Sequence, residues 1–217
     1  MMNLILLLGK HGQLGWELQR ALAPFGKIIA IDREEVDLAH PEQLRKVVVD
    51  IRPQIIVNAS AYTDVDGAES RPQLAMSVNR DAPAILAEES DRLNIPLIHY
   101  STDFVFDGSL GRAYTESDTP YPVNQYGQSK LEGERAILAN GCLHLIFRTS
   151  WVYSLRGNGF VSKVLRWARE KETLRVVDDQ VGSPTWARML AEMTALVLMQ
   201  AMTHGNDWLA ERSGIYH

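Results

Sequence analysis

Cysteine is almost missing from this 217-residue chain: Cys142 stands alone, so no disulfide can close within it. A chain without staples suits a reducing compartment, and the cytoplasm is the default expectation. Long apolar runs are missing too. No stretch reaches the roughly 18 continuous apolar residues that a membrane-spanning helix needs. The opening run Leu4–Leu8 is too short for a secretory signal and has no basic stretch ahead of it. A membrane is therefore not an expected partner. Nor is positive charge in excess: 22 Lys and Arg stand against 27 Asp and Glu, a net charge of −5. That balance argues against nucleic acid as a partner. The 6 histidines show no metal-ligand spacing, so no residue is assigned to a metal. There is no Gly-x-Ser-x-Gly elbow, no His-Glu-x-x-His and no phosphate loop ending in Gly-Lys-Ser/Thr, which leaves hydrolase and NTPase readings without support. Internal repeats and low-complexity tracts are absent as well.

What is present has the balance of an ordinary globular domain, with 46% apolar and 23% charged residues. At this length a core can form without crosslinks, in one large domain or one domain plus a small lobe. Asn3–Leu8, Lys27–Asp32, Ile55–Asn58, Leu97–Ser101 and Leu143–Arg148 are apolar at successive positions, the pattern of strands covered on both faces. Between them, helical period marks Gly12–Leu22, Pro41–Ile51, Gln73–Leu93 and Gln125–Ala139. Strand–helix alternation implies right-handed crossovers and an α/β, Rossmann-like, doubly wound parallel sheet over residues 1–150. Residues 151–217 read as a small C-terminal substrate lobe outside the regular winding. It holds a helix near Phe160–Glu170, a short strand Leu174–Val177, and a last helix to about Met202 capped by Thr185. His99, inside a predicted strand, reads as a buried, hydrogen-bonded histidine, and Cys142 as a packing residue.

Gly9, Gly12 and Gly15 form G-x-x-G-x-x-G directly after the first strand and at the opening of the first helix. A pyrophosphate needs backbone amides and a helix N-terminus close by, and side chains at these positions would obstruct it. Asp32 ends the second strand, where a carboxylate can accept hydrogen bonds from an adenosine ribose. Arg33, next to it, can accept a 2′-phosphate, so NADH and NADPH both remain open as cofactors.

Tyr126 and Lys130 stand four residues apart on a predicted helix and project from one face. A phenol with an ordinary pKa of about 10 is a poor proton shuttle near neutrality. A neighbouring ammonium is expected to draw that value down. A hydroxyl should complete the set at the carboxyl end of a strand near the sheet's switch point, where open α/β sheets bind ligands. Ser101-Thr102-Asp103 stands there, and Thr102 can donate to a substrate carbonyl.

These features, in this order, resemble the extended short-chain dehydrogenase/reductase superfamily. Longer blocks are similar to dTDP-4-dehydrorhamnose reductases: Gly9–Leu18, Val57–Asp66, Ser101–Gly108, Tyr126–Glu134, Arg148–Tyr153 and Asp179–Thr185. The resemblance covers essentially the whole chain. It implies NADPH- or NADH-dependent reduction of the 4-keto group of a nucleotide-linked deoxysugar, giving dTDP-L-rhamnose for surface polysaccharide. It implies Gly12, Gln13 and Leu14 at the pyrophosphate, Asp32 at the ribose, and Asp37 and Leu38 beside the adenine. Ala61, Tyr62, Thr63 and Tyr100 would line the rest of the cofactor path. Tyr126 would donate the proton, Lys130 would orient the nicotinamide ribose, and Thr102 and Asp103 would contact the sugar. Trp151 reads either as an apolar wall of the sugar pocket or as core packing. Related sugar dehydratases carry Asp-Glu after the threonine. Here Phe104 follows Asp103, which favours plain carbonyl reduction.

Mg2+ and a homodimer are allowed by the resemblance without a spacing signature of their own. Family members continue beyond the equivalent of Ile215-Tyr216-His217, so the resemblance implies an incomplete C-terminal lobe. It also extends to a non-catalytic relative, the regulatory β-subunit of methionine adenosyltransferase, and to 4-ketoreductases of other nucleotide sugars.

Overall fold

In the computed structural model, which describes residues 3–156 and 159–217, strands and helices alternate from the first residues onward. The chain runs β1 (Asn3–Leu8), α1 (Gln13–Leu22), β2 (Gly26–Ile31), α2 (Pro41–Ile51) and β3 (Ile55–Asn58). Two short helices follow, α3 (Val65–Ser70) and α4 (Pro72–Met76), and a π-helical turn at Ser77–Asp81 leads into α5 (Ala82–Leu93). Next come β4 (Leu97–Thr102), α6 (Gln125–Asn140) and β5 (His144–Thr149). The remainder is β6 (Val152–Tyr153), α7 (Phe160–Glu170), β7 (Thr185–Trp186), α8 (Ala187–His204), α9 (Asn206–Ala210) and β8 (Gly214–Tyr216).

Six strands form one parallel sheet in the order β2-β1-β3-β4-β5-β8. Successive residues of β1 face opposite layers, so an unbroken apolar run is what burial on both faces demands. Leu6 and Leu8 pack with Leu44, Val48, Leu86 and Ile137 of α2, α5 and α6. Ile5 and Leu7 pack with Leu14, Leu18, Ala191 and Leu198 of α1 and α8. Cys142 lies in the first of these layers. The winding runs outward from β1 to β2, then reverses to β3. A crevice opens beyond the carboxyl ends of the strands where this reversal occurs.

The expected strands and helices up to residue 150 match within a residue or so, with one difference. The segment read as one helix, Gln73–Leu93, starts at Pro72 and is interrupted by the π turn. The C-terminal reading needs more correction. Leu174–Val177 is not a strand. Thr185 does not cap the last helix; it pairs with Val152 in a two-stranded ribbon, and α8 starts after Trp186 without a side-chain cap. Residues 151–217 do not form one lobe apart from the winding either. α8 covers the sheet beside α1, and β8 extends the sheet alongside β5. The apolar alternation there is short, and the tripeptide Gly214–Tyr216 carries too little period to read as a strand.

One helix is seated unusually closely. Asn124 caps α6 by accepting from the Gly127 amide at 2.7 Å. A Cβ on Gly127 would lie 2.1 Å from the Phe104 carbonyl oxygen, and one on Gly133 would lie 2.0 Å from that of Asn79. Both are backbone atoms that cannot swing away. Gly133→Ala should therefore lose about 1–3 kcal/mol of stability in urea unfolding, although alanine is the better helix former. A neutral or stabilising result would mean that α6 can back away from the π turn.

Candidate active site

A cleft of about 1000 Å³ occupies the crevice at the sheet reversal. Its floor is the turn after β1. Gly9 has φ 88°, a region that favours glycine, and a Cβ there would strike Ala59 and Ser60 at 2.9 Å. Gly12 sits at the N-cap of α1 with no side-chain cap, so first-turn amides of a 10-residue helix are left without a side-chain partner at the cleft. Gly9, Gly12, Gln13 and Leu14 line the cleft, as expected. Gly15 does not: a Cβ there would sit 1.9 Å from the Gly9 carbonyl oxygen, so this glycine lets the helix lie against the loop.

Asp32, Asp37 and Leu38 line one end. The Asp32 carboxylate accepts the His11 amide at 2.9 Å and the Arg33 amide at 2.8 Å, tying the glycine loop to the end of β2. Two accepted bonds leave a carboxylate with further acceptor capacity. The Arg33 guanidinium is largely exposed and lies 3.4 Å from Asp37. Lys10 pairs with Glu35, which also accepts the Asp32 amide at 2.8 Å.

Ala61, Tyr62, Thr63 and Tyr100 continue the lining toward the other end, where Thr102, Asp103, Tyr126, Lys130 and Trp151 meet. α6 supplies Tyr126 and Lys130 from one face, and the end of β4 supplies Thr102. Thr102 Oγ1 donates to Asp103 Oδ1 at 3.1 Å, and Ser150 Oγ donates to Asp103 Oδ2 at 2.8 Å, so the carboxylate is held from both sides. Lys130 is 2% exposed and donates to the Tyr100 carbonyl at 2.7 Å. Trp151 is not core packing: it is 47% exposed, has φ 46°, and lines the cleft.

The electrostatics differ from the sequence expectation. Burial pushes the Tyr126 phenol up to about 12; the Thr102 hydroxyl works against this and the Asp103 charge adds to it. Burial lowers Lys130 to about 8, opposed by the Glu134 carboxylate. In the chain without ligands, then, desolvation outweighs any pull of the amine on the phenol.

Arg71, Phe160 and Lys163 line the cleft without a distinctive sequence signal, and His11 and Ser60 lie in the resembling blocks without an assigned role. Ser101 is a nearer miss, since it stands beside Thr102. Its hydroxyl and that of Tyr62 are buried and have no hydrogen-bond partner among the described residues. Both residues line the cleft, although the Tyr62 hydroxyl itself lies against Gly67 of α3. Asn79, in the π turn, donates to the Tyr62 carbonyl at 3.0 Å and to Ser129 Oγ at 2.9 Å, joining α6 to the cleft wall. Among the described residues no group of three or more His, Cys, Asp or Glu side chains is placed to hold a metal ion.

The parallel sheet, the glycine turn at its reversal and the Tyr-x-x-x-Lys helix beside it define a dinucleotide-binding protein of the short-chain dehydrogenase/reductase class. Comparison with known proteins narrows this. The family model for the RmlD substrate binding domain matches residues 2–217. The dTDP-4-dehydrorhamnose reductase of Burkholderia thailandensis is 46% identical over 213 residues, covering 98% of this chain and 71% of the relative. That of Escherichia coli is 45% identical over 217 residues, with the same coverage. A crystal structure of dTDP-4-dehydrorhamnose reductase from Bacillus anthracis in complex with NADP has a TM-score of 0.88 at 35% identity, covering 100% of this chain and 74% of that one. The chain belongs to the dTDP-4-dehydrorhamnose reductase family and spans about 71% of the length of these curated relatives.

Behind the site, Glu134 and Arg148 form a bidentate, buried ion pair at 2.9 and 2.6 Å. Removing one partner strands the other charge. Glu134→Gln should cost about 3–5 kcal/mol in chemical denaturation, whereas joint replacement by Leu and Met should cost far less. Equal losses would show that packing, not charge pairing, sets the cost. Lys130 also links stability to pH. Between about 8 and its ordinary value of 10.5 the unfolded chain holds the proton and the folded chain does not. Stability from this group therefore rises with pH across that window. Lys130→Met should remove that rise in thermal melts collected at pH 8 and 10.

Proposed function

We propose that this chain reduces the 4-keto group of dTDP-4-dehydro-L-rhamnose to give dTDP-L-rhamnose, using NADPH or NADH. The observation that carries the reading is the meeting of Tyr126, Lys130 and Thr102 in the same cleft as the uncapped first turn of α1. Family membership supports the substrate class, and the NADP bound to the Bacillus anthracis relative in its crystal structure supports the cofactor.

The residues fit a dinucleotide. The free amides at Gln13 and Leu14 suit a pyrophosphate, Asp32 keeps acceptor capacity for a ribose, and Asp37 and Leu38 stand where an adenine can lie. Arg33 beside Asp32 gives a 2′-phosphate a guanidinium to pair with. Ala61, Tyr62, Thr63 and Tyr100 wall the path toward Lys130. When bound, the reduced nicotinamide supplies the hydride. The protein's part is to position the ketone and deliver the proton. Tyr126 holds that proton firmly through the neutral range, as a donor to the C4 oxygen must. Thr102 orients the carbonyl, and Asp103, held by Thr102 and Ser150, accepts from a sugar hydroxyl. Trp151 presents an exposed apolar face for the sugar ring, and Val152, Phe160 and Lys163 line the same cleft. A cytoplasmic location fits the single, buried Cys142.

Tyr126→Phe tests the assignment. Consumption of NADPH with the ketosugar nucleotide should fall at least about 100-fold while cofactor affinity in calorimetry stays within a few-fold. Turnover at the parental rate would remove Tyr126 as the proton donor. Cofactor binding without turnover on any ketosugar would instead favour the non-catalytic, regulatory reading.

A further inference from the structure

Behind Lys130 lies a buried line of hydrogen bonds that the proposed reaction does not use. The Ser60 backbone amide donates to Asn58 Oδ1 at 3.1 Å. Asn58 Nδ2 lies 3.1 Å from His99 Nδ1, and His99 Nε2 lies 3.4 Å from Lys130 Nζ. Lys130 Nζ in turn donates to the Tyr100 carbonyl at 2.7 Å. Asn58 and His99 are both buried, at 1% and 0% exposure, so water is not available to complete this line.

The direction of every hydrogen follows from its first member. A backbone amide can only donate, so the Asn58 atom facing Ser60 is its oxygen, and its NH2 group faces His99. That NH2 group can only donate, so His99 Nδ1 is the acceptor. A neutral imidazole has one acceptor and one donor nitrogen, so the ring carries its hydrogen on Nε2. This N–H points at Lys130. An ammonium there would set donor against donor, whereas a neutral amine offers a lone pair to His99 and keeps an N–H for Tyr100.

We propose that Asn58 and His99 are positioning residues that hold a fixed imidazole tautomer against Lys130 and so favour its neutral amine in the cofactor-free chain. The other groups facing Lys130 do not compensate. Glu134, one turn along α6, favours the ammonium but is already paired with Arg148 of β5 and does not outweigh burial; Tyr126, one turn back, holds its proton. In the cofactor-free chain a neutral amine does not draw the proton off Tyr126, so the phenol starts loaded; that this proton serves a ketone rests on the reductase reading.

Nuclear magnetic resonance on the intact chain tests this without turnover. Long-range 15N–1H spectra should show His99 as the Nε2–H tautomer, and 13C-lysine spectra, assigned with Lys130→Arg, should show Lys130 titrating well over one pH unit below its ordinary value. Asn58→Asp keeps the shape but puts an acceptor against Nδ1. It should move the His99 hydrogen to Nδ1, turn a lone pair toward Lys130, and raise the Lys130 midpoint by about one unit or more. Asn58→Ser, which removes the bond without reversing it, should give an intermediate midpoint. A Nδ1–H tautomer in the parent, an ordinary Lys130 midpoint, or a midpoint that Asn58→Asp leaves unmoved would overturn the proposal. If these spectra behave as expected and no ketosugar is reduced, the failure lies with the reductase reading alone.

Discussion

The close seating of α6 is the constraint on which the site depends. Two glycines, in the first and third turns of the helix, let its backbone touch the loop after β4 and the π turn before α5. That contact brings Tyr126 and Lys130 to the ends of the strands, where side chains from β4 reach them. The π turn belongs to the same arrangement. Its extra residue turns Asn79 inward, so one buried amide fastens both the Tyr62 backbone and Ser129 of α6. A regular helix through this stretch would rotate Asn79 off that line.

The cleft also has a clasp between its halves. Gln13, in the first turn of α1, sends its side chain to the Val152 carbonyl at 3.3 Å and accepts from Ser154 Oγ at 3.1 Å. The first turn of α1, at the floor of the cleft, is thereby tied to the segment that carries Trp151. Anything that shifts the first turn of α1 is felt by that segment through the Gln13 amide.

Local pattern carries the strands, helices and glycine turn, because each depends on residues close together in sequence. The short, unbroken apolar runs of β1 and β3, rich in Leu, Ile and Val, favour buried strands, and the Tyr126–Lys130 spacing is a property of any helix. What local pattern cannot carry are contacts decided by distant neighbours. Gly15 belongs to the glycine motif, yet it packs on Gly9 and does not line the cleft, which only the three-dimensional loop reveals. Asn79 interrupts an otherwise continuous helical period that gives no sign of a π turn. β8 is three residues long, and only the exposed edge of β5 makes it a strand. The phenol's proton affinity escapes the sequence for a similar reason. Spacing shows that an amine is near, but burial, the larger effect here, depends on everything packed around the pair.

Phe104 brings these threads together. In the sequence it is notable for what it replaces, the second carboxylate of related dehydratases. In the fold its ring meets Tyr126 edge-on, with centroids 5.5 Å apart at 75°, and its carbonyl is the atom against which Gly127 rests. One residue thus withholds the second carboxylate carried by those dehydratases and adds apolar surface beside the phenol. Both effects act in the same direction. Without a second carboxylate no base is placed to strip a proton from the sugar at this position, and with the phenol desolvated its own proton is retained for transfer. A carboxylate at position 104 would reverse both at once, bringing charge and water to Tyr126. The reductive bias of the site is therefore built into the packing around the phenol as much as into the identity of the residues that touch substrate.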